Sequence, residues 1–353
     1  MTRMIARIHI RDDHPADRRS TEPRRSRPRA STCGLNPHRP SCRPKSRIKI
    51  GLALSCGAAK GLSHIGVIQA LEAQGIHIDA IAGSSMGAYI AAIWGFGHNG
   101  QRMEELACEL EGRWGLWKLM DPVFPPRRGF LLGSKAIDRL RLTIGSLHFS
   151  DMVRPATIVA TDWSTLERHV FTQGEVAEAV HASVAIPGVC VPVRINGRLY
   201  MDGGIADPLP VDVLREMGMD KVIAVNTIPT PPIMRCCEEQ EREKAALVGR
   251  QSGFLRCIHK HLNAFARGNI LDTMMRAVHG AQLRVAEAAC ARADLVIRPL
   301  ALDSSWIEFN KPRKYIEIGR RAAEDQMEAI HALLKERTTP HENHEPSLAL
   351  GST

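Results

Sequence analysis

Residues 76–96 read IHIDAIAGSSMGAYIAAIWGF, and the reading of this stretch decides the fold. From Ala80 to Gly97 there is no charged residue, so the run approaches the roughly 18 to 20 apolar residues that cross a bilayer. Gly83, Ser84, Ser85, Gly87, Gly95 and Gly97 interrupt it. A buried strand over 76–82, a sharp turn and a buried helix from Met86 to Phe96 give the same composition without a membrane. At the turn, Gly83, Ser85 and Gly87 complete a G-x-S-x-G pattern, with Ser84 out of register. A nucleophilic serine needs its hydroxyl pushed out of a tight turn. Glycines on either side let strand and helix approach, and the helix N-terminus faces the developing oxyanion.

Upstream, Arg47 to Leu54 is an apolar run of strand length, Ser55 to Lys60 is a loop of small residues, and Gly61 to Gln74 carries helical spacing at Leu62, Ile65, Ile68 and Leu71. Strand, helix, strand, helix predicts a parallel sheet. The loop's small side chains leave backbone N–H groups open, as an oxyanion hole requires. It is not a Walker loop, because Lys60 is not followed by Ser or Thr at the required glycine spacing. Further strands are expected at 156–161, 168–171, 189–195, 198–201, 221–226 and 294–298, with a hairpin turn at Asn196-Gly197. Further helices are expected at 134–144, 175–183, 210–217, 270–292 and 312–335. Asp202, followed by Gly203 and Gly204, stands at a strand end, where burial beside a serine would raise its pKa and make it a base.

The 353 residues are 44% hydrophobic, the content of a soluble globular protein. Residues 1–47 hold 13 basic and 4 acidic groups and so carry the whole net charge of +9, leaving 34 of each sign in the rest. A basic patch for nucleic acid is therefore not indicated on the body. Nine cysteines without a C-x-x-C pair argue against a disulfide framework and a zinc finger. The first 47 residues lack the apolar stretch of a secretory signal, which makes a cytoplasmic setting the default.

The run Ile50 to Val67, then Gly83 to Gly87, Ala182 to Gly188 and Asp202 to Gly204, resembles the patatin-like phospholipases, in particular their bacterial cytoplasmic RssA-like branch. Four ordered blocks over about 155 residues carry the resemblance. It implies a three-layer α/β fold with a mostly parallel central sheet flanked by helices. It also implies a Ser-Asp dyad: Ser85 as nucleophile on a lipid acyl ester and Asp202 as its direct base. The family's oxyanion hole falls on Gly57, Ala58 and Ala59 with the Met86 amide. Lys60, Gly61, Gly83, Gly87, Gly203 and Gly204 shape the turns around it. Cys56 and Ala58 depart from the glycine-rich form; an alanine can present its N–H at negative φ. No metal or organic cofactor is implied.

An ordinary triad would add a histidine. His64, His181, His259, His261, His279 and His331 are read as structural or solvent-facing. Within 250–267, Phe254, Leu255, Ile258, Leu262 and Phe265 among Arg250, Arg256, Lys260 and Arg267 make a stripe that fits either an anionic membrane or the protein core. Residues 1–47, Arg- and Pro-rich, read as a disordered tail that is a second candidate for peripheral membrane contact. One domain is expected over 48–337, with core motifs at 50–226, a helical extension and last strand at 227–337, and a disordered tail at 338–353. Two alternatives stand beside the lipid hydrolase: a non-catalytic regulatory or binding protein on the same fold, and a Ser-His-Asp hydrolase or acyltransferase. Oligomeric state is not legible.

Overall fold

The computed structural model describes residues 47–112, 115–236, 239, 270–301 and 308–335. The tails at 1–46 and 336–353, the stripe at 250–267, His259 and His261 lie outside the described residues. Strand β1 (Ile50–Leu54) leads through a 3-10 turn (Ala58–Leu62) into α1 (Ser63–Ala73), and β2 (Ala80–Ser84) leads into α2 (Met86–Phe96). Then come α3 (Gly100–Cys108), α4 (Ser134–Ile144), β3 (Ala156–Asp162), β4 (Arg168–Phe171) and α5 (Val176–Ser183). β5 (Val193–Ile195), β6 (Arg198–Met201), α6 (Val211–Glu216) and β7 (Lys221–Val225) follow. The last elements are α7 (Ile270–Cys290), β8 (Leu295–Ile297), α8 (Pro312–Glu324) and α9 (Met327–Lys335).

The eight strands of the described residues join one sheet. β3, β2, β1, β7 and β8 run parallel in that order, and β4 and β6 pair antiparallel with β3, as β5 does with β6. Residue alternation sorts the side chains into two layers. Leu52, Leu54, Ile81, Ile223 and Val225 face a core shared with α1, α2, α4, α5, α8 and α9. The small Ala53, Ala80, Ala82 and Ala224 face α6 and α7, whose Val213, Leu214, Ala286 and Ala289 complete the other core. β1 and β2 are buried along their whole length, as central parallel strands between helices must be. Among the described residues no helix is long and apolar enough to cross a membrane; the uncharged run from Ala80 is strand, turn and helix.

Several expected boundaries shift, and one helix is additional. Ile76 to Asp79 precede the strand, because the parallel ladder with β1 begins only at Gly51 opposite Ala80. Of 189–195 only Val193–Ile195 is a strand: Pro192 has no N–H to donate, and Cys190 keeps a single bridge to Leu131. The helix expected over 312–335 is two, parted where the Gln326 N–H tightens onto the Ala323 carbonyl. α3 was not anticipated; Asn99 caps it by accepting the Arg102 N–H at 2.9 Å.

α1 and α8 cross at two glycines. A Cβ at Gly66 would stand 1.8 Å from the Ile316 carbonyl oxygen, and one at Gly319 would stand 1.9 Å from that of Ser63. Backbone cannot yield as a flexible side chain can, so Gly319→Ala should destabilise the protein by about 1–3 kcal/mol or more. Gly280 in α7 has open space around it, and Gly280→Ala should instead stabilise by about 0.5–1 kcal/mol. Thermal or urea unfolding of the two variants checks the opposite signs.

Candidate active site

Ser85 holds the turn between β2 and α2 at φ +54° and ψ −119°, a region that non-glycine residues occupy only under constraint. The constraint is visible. Its N–H donates to Ser183 Oγ at 2.9 Å, and that hydroxyl donates in turn to the Val159 carbonyl at 2.6 Å. A Cβ at Gly83 would sit 2.3 Å from the Gly87 carbonyl oxygen, and one at Gly87 would sit 2.3 Å from that of Leu54, so both glycines are needed for the turn to close. Ser84 is fully buried, its hydroxyl without a partner among the described residues.

Asp202 reaches Ser85 through the sheet. β4 occupies one edge of β3 from Ile158 to Thr161, so β2 and β6 must share the other edge. β2 ends with Ser84 opposite Val159, and β6, running the other way, ends with Met201 opposite Thr161. The next residue of each is Ser85 and Asp202, which therefore meet head-on. Ser85 Oγ donates to Asp202 Oδ2 at 2.6 Å, and Oδ1 accepts the Gly204 N–H at 2.7 Å. The Asp202 backbone is pinned by its N–H to the Ala185 carbonyl at 2.9 Å and by Thr161 Oγ1 donating to its carbonyl at 2.8 Å. Burial pushes the carboxyl from the ordinary 3.8 up to about 6, against the opposing pull of the Ser85 and Gly204 hydrogen bonds.

The loop after β1 lies beside this pair. Thr227 clamps it, with its N–H on Ser55 Oγ at 2.9 Å and its hydroxyl on the Cys56 carbonyl at 3.0 Å. The Lys60 N–H closes on the Gly57 carbonyl at 3.0 Å, and Ser63 Oγ holds the Lys60 carbonyl at 2.8 Å. The amides of Gly57, Ala58 and Ala59 have no hydrogen-bond partner among the described residues. Ala58 stands at φ +47°, not at the negative φ anticipated for it. The loop's closure forces this, and glycine would adopt the angle without strain. Burial raises the Cys56 thiol well above its ordinary pKa, with Asp202 and Asp207 adding to the effect, so it is a neutral neighbour.

Ser85, Ala58 and Ile186 stand between two cavities. One, of about 90 Å³, is also lined by Asp202, Gly57, His279 and Gln282. The other, of about 420 Å³, is almost entirely apolar, with Leu62, Ile65, Tyr89, Ile93, Met103 and Leu131 among its walls. His64 is fully buried with Nε2 2.8 Å from the Ser55 carbonyl, and burial lowers its pKa to about 4; it is a neutral brace for the loop. His181 Nε2 meets the Leu132 carbonyl at 3.0 Å, and His331 Nε2 is buried without a partner among the described residues. His279 does line the small cavity, a position the sequence did not mark, with Nε2 3.4 Å from the Pro229 carbonyl. Thr227 and Ser183 were likewise not singled out.

Residues 52–215 match the family model of the patatin-like phospholipases. The match takes in 164 of the 353 residues. An uncharacterized NTE family protein of Mycobacterium bovis is 38% identical over 186 residues, 52% of this chain and 50% of the relative. A lysophospholipase NTE1 of Cryptococcus neoformans is 31% identical over 179 residues, 50% of this chain and 11% of that protein. The chain thus spans about half the length of the mycobacterial relative and a small part of the fungal one. Among solved structures, VipD from Legionella pneumophila superposes with a TM-score of 0.43 at 14% identity, covering 80% of this chain and 67% of that one.

Position 58 tests the loop geometry. Ala58→Val should cost about 1–3 kcal/mol, because a β-branched residue tolerates positive φ worst. Ala58→Gly should leave the melting temperature equal or higher. Thermal denaturation of the pair distinguishes φ strain from a packing effect.

Proposed function

We propose that the chain is a serine lipid acyl hydrolase acting through Ser85 and Asp202, with a phospholipid or lysophospholipid as the substrate class. One observation carries this reading: the hydroxyl that Asp202 accepts at 2.6 Å also borders an apolar cavity of about 420 Å³, room for an acyl chain. The match of residues 52–215 to the patatin-like phospholipase model supports it.

In this reading the acyl chain occupies the apolar cavity and the ester carbonyl rests over Ser85. Ser85 Oγ attacks the carbonyl carbon as its proton passes to Asp202 Oδ2. The carbonyl oxygen becomes an oxyanion that accepts N–H groups of Gly57, Ala58 and Ala59 and of Met86 at the start of α2, where the helix dipole favours negative charge. Collapse breaks the C–O bond, and Asp202 returns the proton to the leaving alcohol. Water entering by the small cavity then loses a proton to Asp202, attacks the acyl-enzyme and regenerates Ser85. A carboxylate with an ordinary pKa is a weak base; burial makes Asp202 a stronger one.

Ser85→Ala should abolish both ester turnover, by at least about a thousandfold, and covalent labelling by a fluorophosphonate, while folding is kept. Asp202→Asn should match it in turnover, and the double variant should be little worse. His279 is the discriminating control, because it borders the same cavity. If His279→Gln matched Ser85→Ala, a histidine mechanism would replace the dyad. Retained turnover in Ser85→Ala would end the hydrolase reading.

The pH dependence follows from the raised pKa. The base must be ionised, so kcat/KM on a short ester should fall as pH drops through about 6. Stability runs the opposite way. The folded protein holds this proton more tightly than the unfolded chain, so the contribution is present at low pH and is lost as pH rises through about 6. Above that pH the ionised carboxylate costs on the order of 3 kcal/mol. Asp202→Asn, isosteric and able to accept the Gly204 N–H while its own amide N–H donates to Ser85 Oγ, should therefore raise the melting temperature at neutral pH while abolishing activity.

A further inference from the structure

Four of the large apolar side chains left exposed fall between Trp117 and Leu132. Phe124 is 95% exposed and Trp117 62%, with Phe130 and Leu132 beside them. The cations in the same segment, Lys118, Arg127 and Arg128, are exposed and make no ion pair among the described residues. Its one carboxylate is turned inward: Asp121 accepts the N–H groups of Gly133 and Lys135 and the Ser134 hydroxyl, capping α4.

The segment is a braced finger. Pro122 and Leu131 form an antiparallel bridge, and the Val123 N–H donates to the Phe130 carbonyl at 2.9 Å. At its base the N–H groups of Phe130 and Leu131 both reach the Val189 carbonyl at 2.9 Å, and the Val191 N–H reaches that of Leu131 at 2.9 Å. Leu119, Met120 and Leu131 of the same segment line the apolar cavity that Ser85 borders. One side of the finger is thus wall of the acyl site, and its tip, from Phe124 to Arg128, is exposed.

We propose that residues 117–132 dock on an anionic lipid surface and seat the mouth of the acyl cavity there, an inference that rests on the lipid hydrolase reading. Aromatic side chains mixed with cations and free of exposed acid match the boundary between headgroups and acyl chains. The continuity from the tip through Leu119, Met120 and Leu131 to Ser85 favours a lipid over a protein partner. An acyl chain can leave the bilayer along that wall without passing through water.

The test is co-sedimentation of the full-length chain with vesicles of phosphatidylcholine and phosphatidylglycerol, with turnover of a short soluble ester and light scattering measured in parallel. Phe124→Ser should weaken vesicle binding at least about tenfold, and Phe124→Trp should bind as the wild type does. R127S/R128S should weaken it about fivefold per cation, an effect that shrinks as salt rises. All three variants should keep wild-type turnover of the soluble ester. Vesicle binding of Phe124→Ser within about twofold of wild type at high salt overturns the proposal. So does a loss of soluble-ester turnover, which would place Phe124 in the site, or a loss of self-association in Phe124→Ser, which would make the finger an interface between copies. Binding is read without turnover. A wild type that bound through Phe124 yet hydrolysed nothing would support the finger and overturn only the hydrolase reading.

Discussion

The site depends on one edge of one strand. Because β4 holds the far edge of β3, β2 and β6 approach from opposite directions along the near edge and stop two residues apart, at Val159 and Thr161. The chain leaving each strand must turn out of the sheet at that gap, and the residues that make those turns are Ser85 and Asp202. Their 2.6 Å hydrogen bond is thus a consequence of sheet register. A one-residue slip of β6 would turn its side chains to the opposite face and remove the carboxylate from Ser85.

Around that gap the fold maintains several unfavourable states. Ser85 and Ala58 hold positive φ, and Asp202 is buried with no cation bonded to its carboxylate among the described residues. Each would relax if its surroundings allowed it. Side-chain hydroxyls prevent this: Ser183 ties the Ser85 amide to β3, Thr161 ties the Asp202 carbonyl, and Thr227 ties the loop after β1 to the end of β7. These groups are buried and hydrogen-bonded, so removing one leaves its partner unsatisfied. Opposing strain is the dense packing of β1, β2 and β7 between two helical layers, including the glycine crossing of α1 and α8 behind the loop.

The serine also marks a boundary of solvation. On one side are the small cavity and the polar groups of Asp202, Gln282 and His279; on the other are the apolar walls from Leu62 to Met103. An ester has the same division between its acyl chain and its carbonyl end. The finger from Trp117 to Leu132 extends the apolar side to the protein surface.

Much of the fold was legible from local chemistry. α2 begins and ends where its glycines and apolar run place it, β4 and β6 match their expected spans, and Asn196-Gly197 turns the β5–β6 hairpin with φ of +48° and +83°. The errors were local too. Pro192 shortens a strand, and α3, with Asn99 at its cap and Met103 and Ala107 buried, is a helix beyond those expected. The sequence by itself determined most strand and helix types and the serine turn, and supplied the candidates for chemistry, because periodicity, turn preference and side-chain type act over a few residues. Only the tertiary structure decided that Ser85 lies against Asp202, 117 residues away, that Thr227 clamps a loop 171 residues before it, and that Ala58 is strained. It also decided that His279 and the finger flank the cavities. Those facts follow from which strand edges pair and which side chains the layers bury together, and neither leaves a signal within one stretch of chain.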